Sequence, residues 1–216
     1  MSTAVVSAPA PGQSLLLWDV DWTTYTRFLR LFAERPGYRL TYDRGDLEIM
    51  APLVNHDDQA DFLGDVVHVV TEELGLPLHR GGSVTIRRRP VKRGIEADRC
   101  FWIANAHKMK GRKRLDLRRD PPPDLAIAVD VTRSCMDRMS IYAKLRVPEI
   151  WRLSEDALTF HILHANGRYE AADMSKAIPI LTPAKVMEFV LMAREADDQN
   201  TVTRQLRRWV RKAKRA

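Results

Sequence analysis

Two acidic residues, Asp124 and Asp130, stand near the ends of an otherwise apolar stretch, PPPDLAIAVDVTRS at residues 121–134. If this stretch is a β-strand, its side chains alternate between two faces. One face then carries four large apolar side chains: Leu125, Ile127, Val129 and Val131. The other face carries Ala126 and Ala128 between the two acids. Because carboxylates are rarely buried unless they are paired or bind a metal ion, this second face predicts a polar site and not a simple core.

A further acidic group lies in the preceding apolar stretch, IEADRCFWI at residues 95–103. Read as one strand, it places Asp98 and Glu96 on the same face. Carboxylates that converge at a sheet edge suit Mg²⁺, which is bound by one or two carboxylates together with water and phosphate oxygens. In the structural alternative, Asp98 pairs with a nearby arginine, while Asp124 and Asp130 cap a turn and end a strand.

The remaining reactive residue types do not group into a second site. His161 and His164 are three residues apart in a predicted strand and so point to opposite faces. His56 precedes two aspartates at a helix start, which favours a capping cluster over a catalytic base. Cys100 and Cys135 form no C-x-x-C pair, and reduced thiols are typical of a cytoplasmic protein.

The periodicity of apolar residues predicts a mixed α/β (α+β) domain. Helices are predicted near residues 23–35, 56–75, 136–146, 184–195 and 202–213, and strands near 38–42, 46–50, 83–88, 95–103, 124–132 and 148–153, followed by a hairpin over 158–172. From residue 56 the order is helix, three strands, helix, strand. This order implies a mixed sheet with helices on its faces and the 124–132 strand at its centre.

Composition suggests one domain with two appendages. Residues 1–17 are small, Pro-containing and lack a signal-peptide pattern, so we expect a disordered leader. Residues 18–182 form the predicted central domain and residues 183–216 a helical extension with a basic tail. No apolar run approaches the roughly 20 residues that a membrane helix needs, so we expect no membrane partner and a cytoplasmic location.

The net charge of +7 arises in the tail, because residues 204–216 hold seven basic residues and no acid. The tail's apolar side suits docking on the body, DNA contact or a membrane surface, and docking with a DNA-facing basic side is preferred. Two further basic runs lie at residues 87–93 and 108–114. Clustered Lys and Arg suit phosphate binding, although each run is also typical of a solvated face. The candidate nucleic-acid contacts are Arg87, Arg88, Arg89, Lys108, Lys110, Arg112, Arg207, Arg208 and Arg211.

Three segments, GIEADRCFWI, DPPPDLAIAVDVTRS and DRMSIYAKLRVPEIWRL, resemble in order and spacing the Uma-two family of restriction-endonuclease-like proteins. That family belongs to the PD-(D/E)XK nuclease superfamily. The resemblance also takes in LTYDRGDLEIMAP and NHDDQADFLG and covers roughly residues 18–170. It implies a restriction-endonuclease-like core of one helix, three strands, a helix and a strand, to which the residue pattern adds the N-terminal helix, the hairpin and the basic C-terminal helix. It also implies an endonuclease, a hydrolase that cleaves DNA with Mg²⁺ or Mn²⁺.

The site that the resemblance implies is incomplete in this chain. Asp98 matches the metal-binding aspartate of the family's G-x-E-P-D strand, with Ala97 in place of proline. The glutamate expected in the following strand falls at Ala128, and the lysine expected in the next helix falls at Arg138. Glu48 is an acid that the family also tends to carry. The alanine face would then be the floor of a nuclease-type cleft that has lost a ligand.

Three functional hypotheses remain open from the sequence. The first is an impaired endonuclease, in which Asp98 holds the ion, Arg138 contacts phosphate, and Glu48, Glu96 or Asp130 assists. Asp130 lies roughly 6.5–7 Å along the strand from the missing glutamate, too far to replace it without a shifted metal. The second is a non-catalytic DNA-binding or regulatory protein, and the third is a domain with structural acids. DNA is the expected partner, and pairing of two copies stays open.

Overall fold

The protein's structure is a computed structural model that describes residues 9–33, 35, 37–52, 54–112, 114–129, 136–155 and 157–215. Its helices are α1 (Trp22–Phe32), α2 (Val54–Leu74), α3 (Arg138–Leu145), α4 (Pro183–Glu195) and α5 (Gln199–Ala213). Its strands are β1 (Ser14–Leu17), β2 (Arg39–Asp43), β3 (Asp46–Met50), β4 (His79–Gly82), β5 (Thr85–Arg88), β6 (Arg93–Glu96), β7 (Arg99–Trp102), β8 (Leu125–Val129), β9 (Glu149–Ser154), β10 (Ala157–Leu163) and β11 (Tyr169–Ala172). The predicted mixed α/β class, consistent with a restriction-endonuclease-like fold, is confirmed.

The strands form two sheets. The first sheet has the order β1-β3-β2-β6-β5 and its strands pair antiparallel. The second has the order β11-β10-β9-β8-β7-β4, and here β8 and β9 run parallel, joined by a connection that contains α3. A parallel pair needs such a crossover. As predicted, β8 lies inside its sheet, between β7 and β9.

The stretch 95–103, predicted as one strand, forms parts of two strands in different sheets. Its start belongs to β6 in the first sheet and its later part to β7 in the second, with Ala97 and Asp98 between them. The prediction of a single strand is therefore wrong. Both halves are apolar and extended, so periodicity gives no sign of the crossing. The strands β1 and β4 were also not predicted; β1 lies in the part of the leader that the structure describes.

Helices cover the two faces of the second sheet. The large apolar side chains of β8 pack in a core with α2, α4 and α5, which confirms the predicted orientation of that face. The opposite face of β8 packs against α3 and the first sheet in another core. The C-terminal helix α5 buries Val202, Leu206 and Val210, so its predicted docking on the body is confirmed. No helix in the described ranges is long and apolar enough to cross a membrane.

Candidate active site

Asp98 lies where the chain passes from the first sheet to the second, and its side chain is fully buried (0 % exposed). The Val129 backbone N–H donates to Asp98 Oδ2 over 2.9 Å. In the register of β7 and β8, Arg99 faces Ile127. Asp98 itself lies at a bend just before β7, and its hydrogen bond to Val129 places its carboxylate beside the residue that follows Ala128. The two positions that the resemblance assigns to the metal site are therefore neighbours.

Ala128 is only 4 % exposed and belongs to an apolar cluster. The cluster also holds Ala126, the α3 residues Ile141 and Tyr142, and Ile95 of the first sheet. The two alanines therefore form a closed core face, where the sequence predicted the floor of an open cleft. The physical reason is that α3 and the first sheet cover the small side chains and fill the space above them.

The guanidinium group of Arg39 lies near Asp98 in the interior of the protein. Arg39 Nε lies 4.0 Å from Asp98 Oδ1, and Arg39 Nη2 donates to Asp57 Oδ1 over 3.2 Å. Arg39 thus links β2 and α2 to the junction between the sheets and places positive charge beside Asp98. No pattern in the sequence indicates this contact, because Arg39 is distant along the chain and belongs to no motif.

Two further acids lie on strands of the first sheet. Glu48 of β3 is 2 % exposed and faces Thr41 in the register, so both side chains point to the same side of the sheet. Glu96 ends β6, where Oε2 accepts from the Leu40 N–H over 2.9 Å and Oε1 accepts from Thr85 Oγ1 over 3.0 Å. Burial raises the pKa of Glu96, while these hydrogen bonds and Arg39 act in the opposite direction. Glu96 therefore ties together β2, β5 and β6.

Arg138 opens α3 and is 8 % exposed. The preceding residue, Asp137, caps the helix by accepting from the Ser140 N–H over 3.0 Å. The helix packs on β5 and β6 of the first sheet. A buried guanidinium at this point can hold a carboxylate or a phosphate through charge-assisted hydrogen bonds.

Of the two acids that flank β8, Asp124 and Asp130, the structure describes only Asp124. Asp124 Oδ2 accepts from the backbone N–H groups of Ile103 and Asn105 over 2.7 and 3.0 Å, and Oδ1 accepts from Asn105 Nδ2 over 2.7 Å. Asp124 therefore fastens the loop after β7, which agrees with a structural role. Asp130, the candidate replacement ligand, lies outside the described residues.

Most of this chain matches the model of one protein family. The model of the Uma2 family, described as "Putative restriction endonuclease", matches residues 22–194, which is most of the chain. The chain belongs to the Uma2 family. No curated protein matches it. The match includes both sheets except β1, and it includes Asp98, Ala128 and Arg138.

The resemblance to metal-dependent nucleases implies a Mg²⁺ site in this Uma2 chain. The described residues do not fit such a site. Within the described ranges no three His, Cys, Asp or Glu side chains are placed to hold a metal ion. One Asp98 oxygen accepts a backbone hydrogen bond and the other lies near Arg39. Both Glu96 oxygens are also engaged. The Ala128 side chain offers no oxygen, so the second carboxylate of such a site is missing.

The predicted basic contacts of this Uma2 chain fall into two sets. Arg87, Arg88, Arg89, Lys108, Lys110, Arg112 and Arg208 are exposed. Within this set, Lys108 donates to Asn105, and Arg112 lies 3.1 Å from an Asp120 oxygen.

Arg207 and Arg211 of α5 form the second set, because both bind glutamates of α2. Arg211 Nε donates to Glu73 Oε2 over 2.8 Å, and Arg207 Nη1 donates to Glu73 Oε1 over 3.0 Å. The hydrogen bond from Arg211 is the main cause that lowers the pKa of Glu73 to about 2. These two arginines therefore dock α5 on α2, which was not predicted for them.

Proposed function

We propose that this chain binds DNA with its restriction-endonuclease-like fold and that its hydrolytic centre is impaired. Membership of the Uma2 family supports a nuclease-like ancestry and a nucleic-acid ligand. The observation that carries the impairment is the hydrogen bond from the Val129 N–H to Asp98. It places the Asp98 carboxylate next to Ala128, whose side chain has no ligand atom.

The loss of one carboxylate affects both tasks of a catalytic metal ion. Such an ion polarises the scissile phosphate and generates hydroxide from a bound water. A single buried aspartate beside the Arg39 guanidinium holds a divalent cation weakly, because the two positive groups compete for the same carboxylate. If the chain cleaves DNA at all, Mg²⁺ or Mn²⁺ is the ion that we expect it to use.

The arginine at position 138, where the family has lysine, lowers the expected rate of hydrolysis further. Its guanidinium stays protonated at neutral pH, so it stabilises a phosphate but does not exchange a proton. General acid–base catalysis commonly contributes about 10²–10⁴ in rate, and a lysine at this position can supply more of it. The exposed arginines and lysines do not depend on the metal ion, so DNA binding survives the loss of hydrolysis.

Cleavage and binding assays on the native chain and an Asp98→Asn variant test this proposal. We expect both proteins to bind duplex DNA, with a log–log slope of affinity against salt of about −3 or steeper. We also expect neither protein to nick supercoiled plasmid in millimolar Mg²⁺ or Mn²⁺. Nicking by the native chain that disappears in Asp98→Asn would show a working centre. Absence of DNA binding would contradict the DNA-related role.

A further inference from the structure

A basic groove lies at the end of α3 that is opposite to Arg138. It is a cavity of about 340 Å³ lined by Arg88, Val91, Ala143, Lys144, Arg146, Ala165, Asn166 and Gly167. Three separate elements meet there: the end of β5, the last turn of α3, and the turn between β10 and β11. Among the described residues that line it are three cationic side chains and no acidic one.

The three cations of the basic groove differ from the ion-paired arginines of this chain. In the described residues, arginines such as Arg93, Arg99 and Arg207 lie in ion pairs with carboxylates. No ion pair with an acid is found there for Arg88, Lys144 or Arg146, whose residues are exposed. Three uncompensated cations around one concave surface attract an anion, because their repulsion falls when a negative group enters.

Stabilisation of the end of α3 does not by itself explain why Arg88, Lys144 and Arg146 lie together. Basic residues often end a helix because they complement its dipole and its free carbonyl groups. Here backbone groups already serve the last turn: the Arg146 N–H donates to Ala143 O and the Val147 N–H donates to Tyr142 O. Arg88 comes from another element altogether. In the turn between β10 and β11, Asn166 Oδ1 accepts from the Arg168 N–H. The amide NH₂ group of Asn166 can therefore donate to a ligand.

We propose that the basic groove binds phosphate groups of duplex DNA beside the candidate active site. This inference rests on the proposed DNA-binding function and assigns a surface to it. From Arg138 to Arg146, α3 rises about 12 Å, which equals the rise of three to four nucleotides of one strand. Phosphates held in the groove are therefore within the span of three to four nucleotides of the Arg138 end of α3, which is itself buried.

Fluorescence anisotropy with a labelled duplex over a series of salt concentrations tests the groove. The test variant carries Arg88→Gln, Lys144→Gln and Arg146→Gln. The control variant carries Arg27→Gln, Arg30→Gln and Arg35→Gln, which remove the same charge from exposed positions on and after α1. We expect the groove variant to lose at least tenfold in affinity and its salt slope to become shallower by about 3. We expect the control to stay within about twofold.

The outcomes separate this inference from the proposed function. If the native chain binds DNA but the groove variant equals the control, the groove inference is wrong and the DNA-binding proposal stands. If the native chain does not bind DNA, both fail. A charge-retaining variant with Arg88→Lys, Lys144→Arg and Arg146→Lys should keep the native slope, which guards against loss by misfolding. A third outcome combines two results: inorganic phosphate raises the melting temperature of the native chain, and the groove variant keeps its DNA affinity. This outcome would assign the groove to a small anion and overturn the inference.

Discussion

Replacing Ala128 with glutamate should destabilise the protein by about 3 kcal/mol in EDTA and make its stability depend on a divalent ion. The methyl group of Ala128 is buried in an apolar cluster, so glutamate brings a carboxylate into that interior. The new group also lies near Asp98, and two neighbouring carboxylates repel each other. Mn²⁺ bound between them removes this repulsion and should recover about 2–3 kcal/mol at saturating concentration. Urea denaturation in EDTA and in Mn²⁺ measures both effects.

Two matched variants isolate the metal effect at position 128. Ala128→Gln adds nearly the same volume without a charge, so it should be destabilised and insensitive to Mn²⁺. Adding Asp98→Asn to Ala128→Glu should remove most of the Mn²⁺ response. A folded Ala128→Glu protein that does not respond to Mn²⁺, or a glutamine variant that responds equally, would contradict the assignment of position 128 to a lost ligand.

Replacing Glu149 with alanine should destabilise the protein by about 3–5 kcal/mol. Glu149 of β9 is completely buried. Its Oε1 accepts from Trp151 Nε1 and its Oε2 accepts from the Ala177 N–H, each over 2.7 Å. Alanine leaves both donors without an acceptor and opens a cavity under the segment that leads to α4. Urea denaturation measures the change in the free energy of unfolding.

The control for Glu149→Ala is Glu155→Ala, which removes an exposed glutamate from the turn after β9. It should change the free energy of unfolding by less than about 0.5 kcal/mol. Glu149→Gln keeps one acceptor oxygen and should lie between the two. A loss of less than about 1 kcal/mol in Glu149→Ala would mean that water or another group satisfies the two donors.

Local patterns in the sequence predict much of the fold. The hairpin β2–β3 follows from alternation around a Gly-containing turn, and α2 follows from its apolar stripe and the glycine after Leu74, which has a φ of +70°. The large apolar face of β8 was assigned correctly, because alternation alone decides which side chains share a face. The family resemblance assigned Asp98 and position 128 to one metal site, and that assignment stays a prediction.

Long-range contacts could not be predicted in the same way. The crossing at Ala97–Asp98 depends on how two sheets pack, and the apolar pattern is the same on both sides of it. Arg39 reaches Asp98 only because β2 lies beside β6 in the folded sheet. The closed face over Ala128 depends on α3, whose position is set by tertiary packing. Each of these features decides whether the acids can bind an ion.

Electron paramagnetic resonance of Mn²⁺ with the native chain is the most direct test of whether the metal centre is lost. We predict no site-specific Mn²⁺ at sub-millimolar concentrations and identical titrations for the native chain and Asp98→Asn, since one buried carboxylate beside Arg39 is a poor site. Tight binding of Mn²⁺ by the native chain that is lost in Asp98→Asn would contradict this. Another acid, such as Asp130, would then complete the centre in place of the missing glutamate.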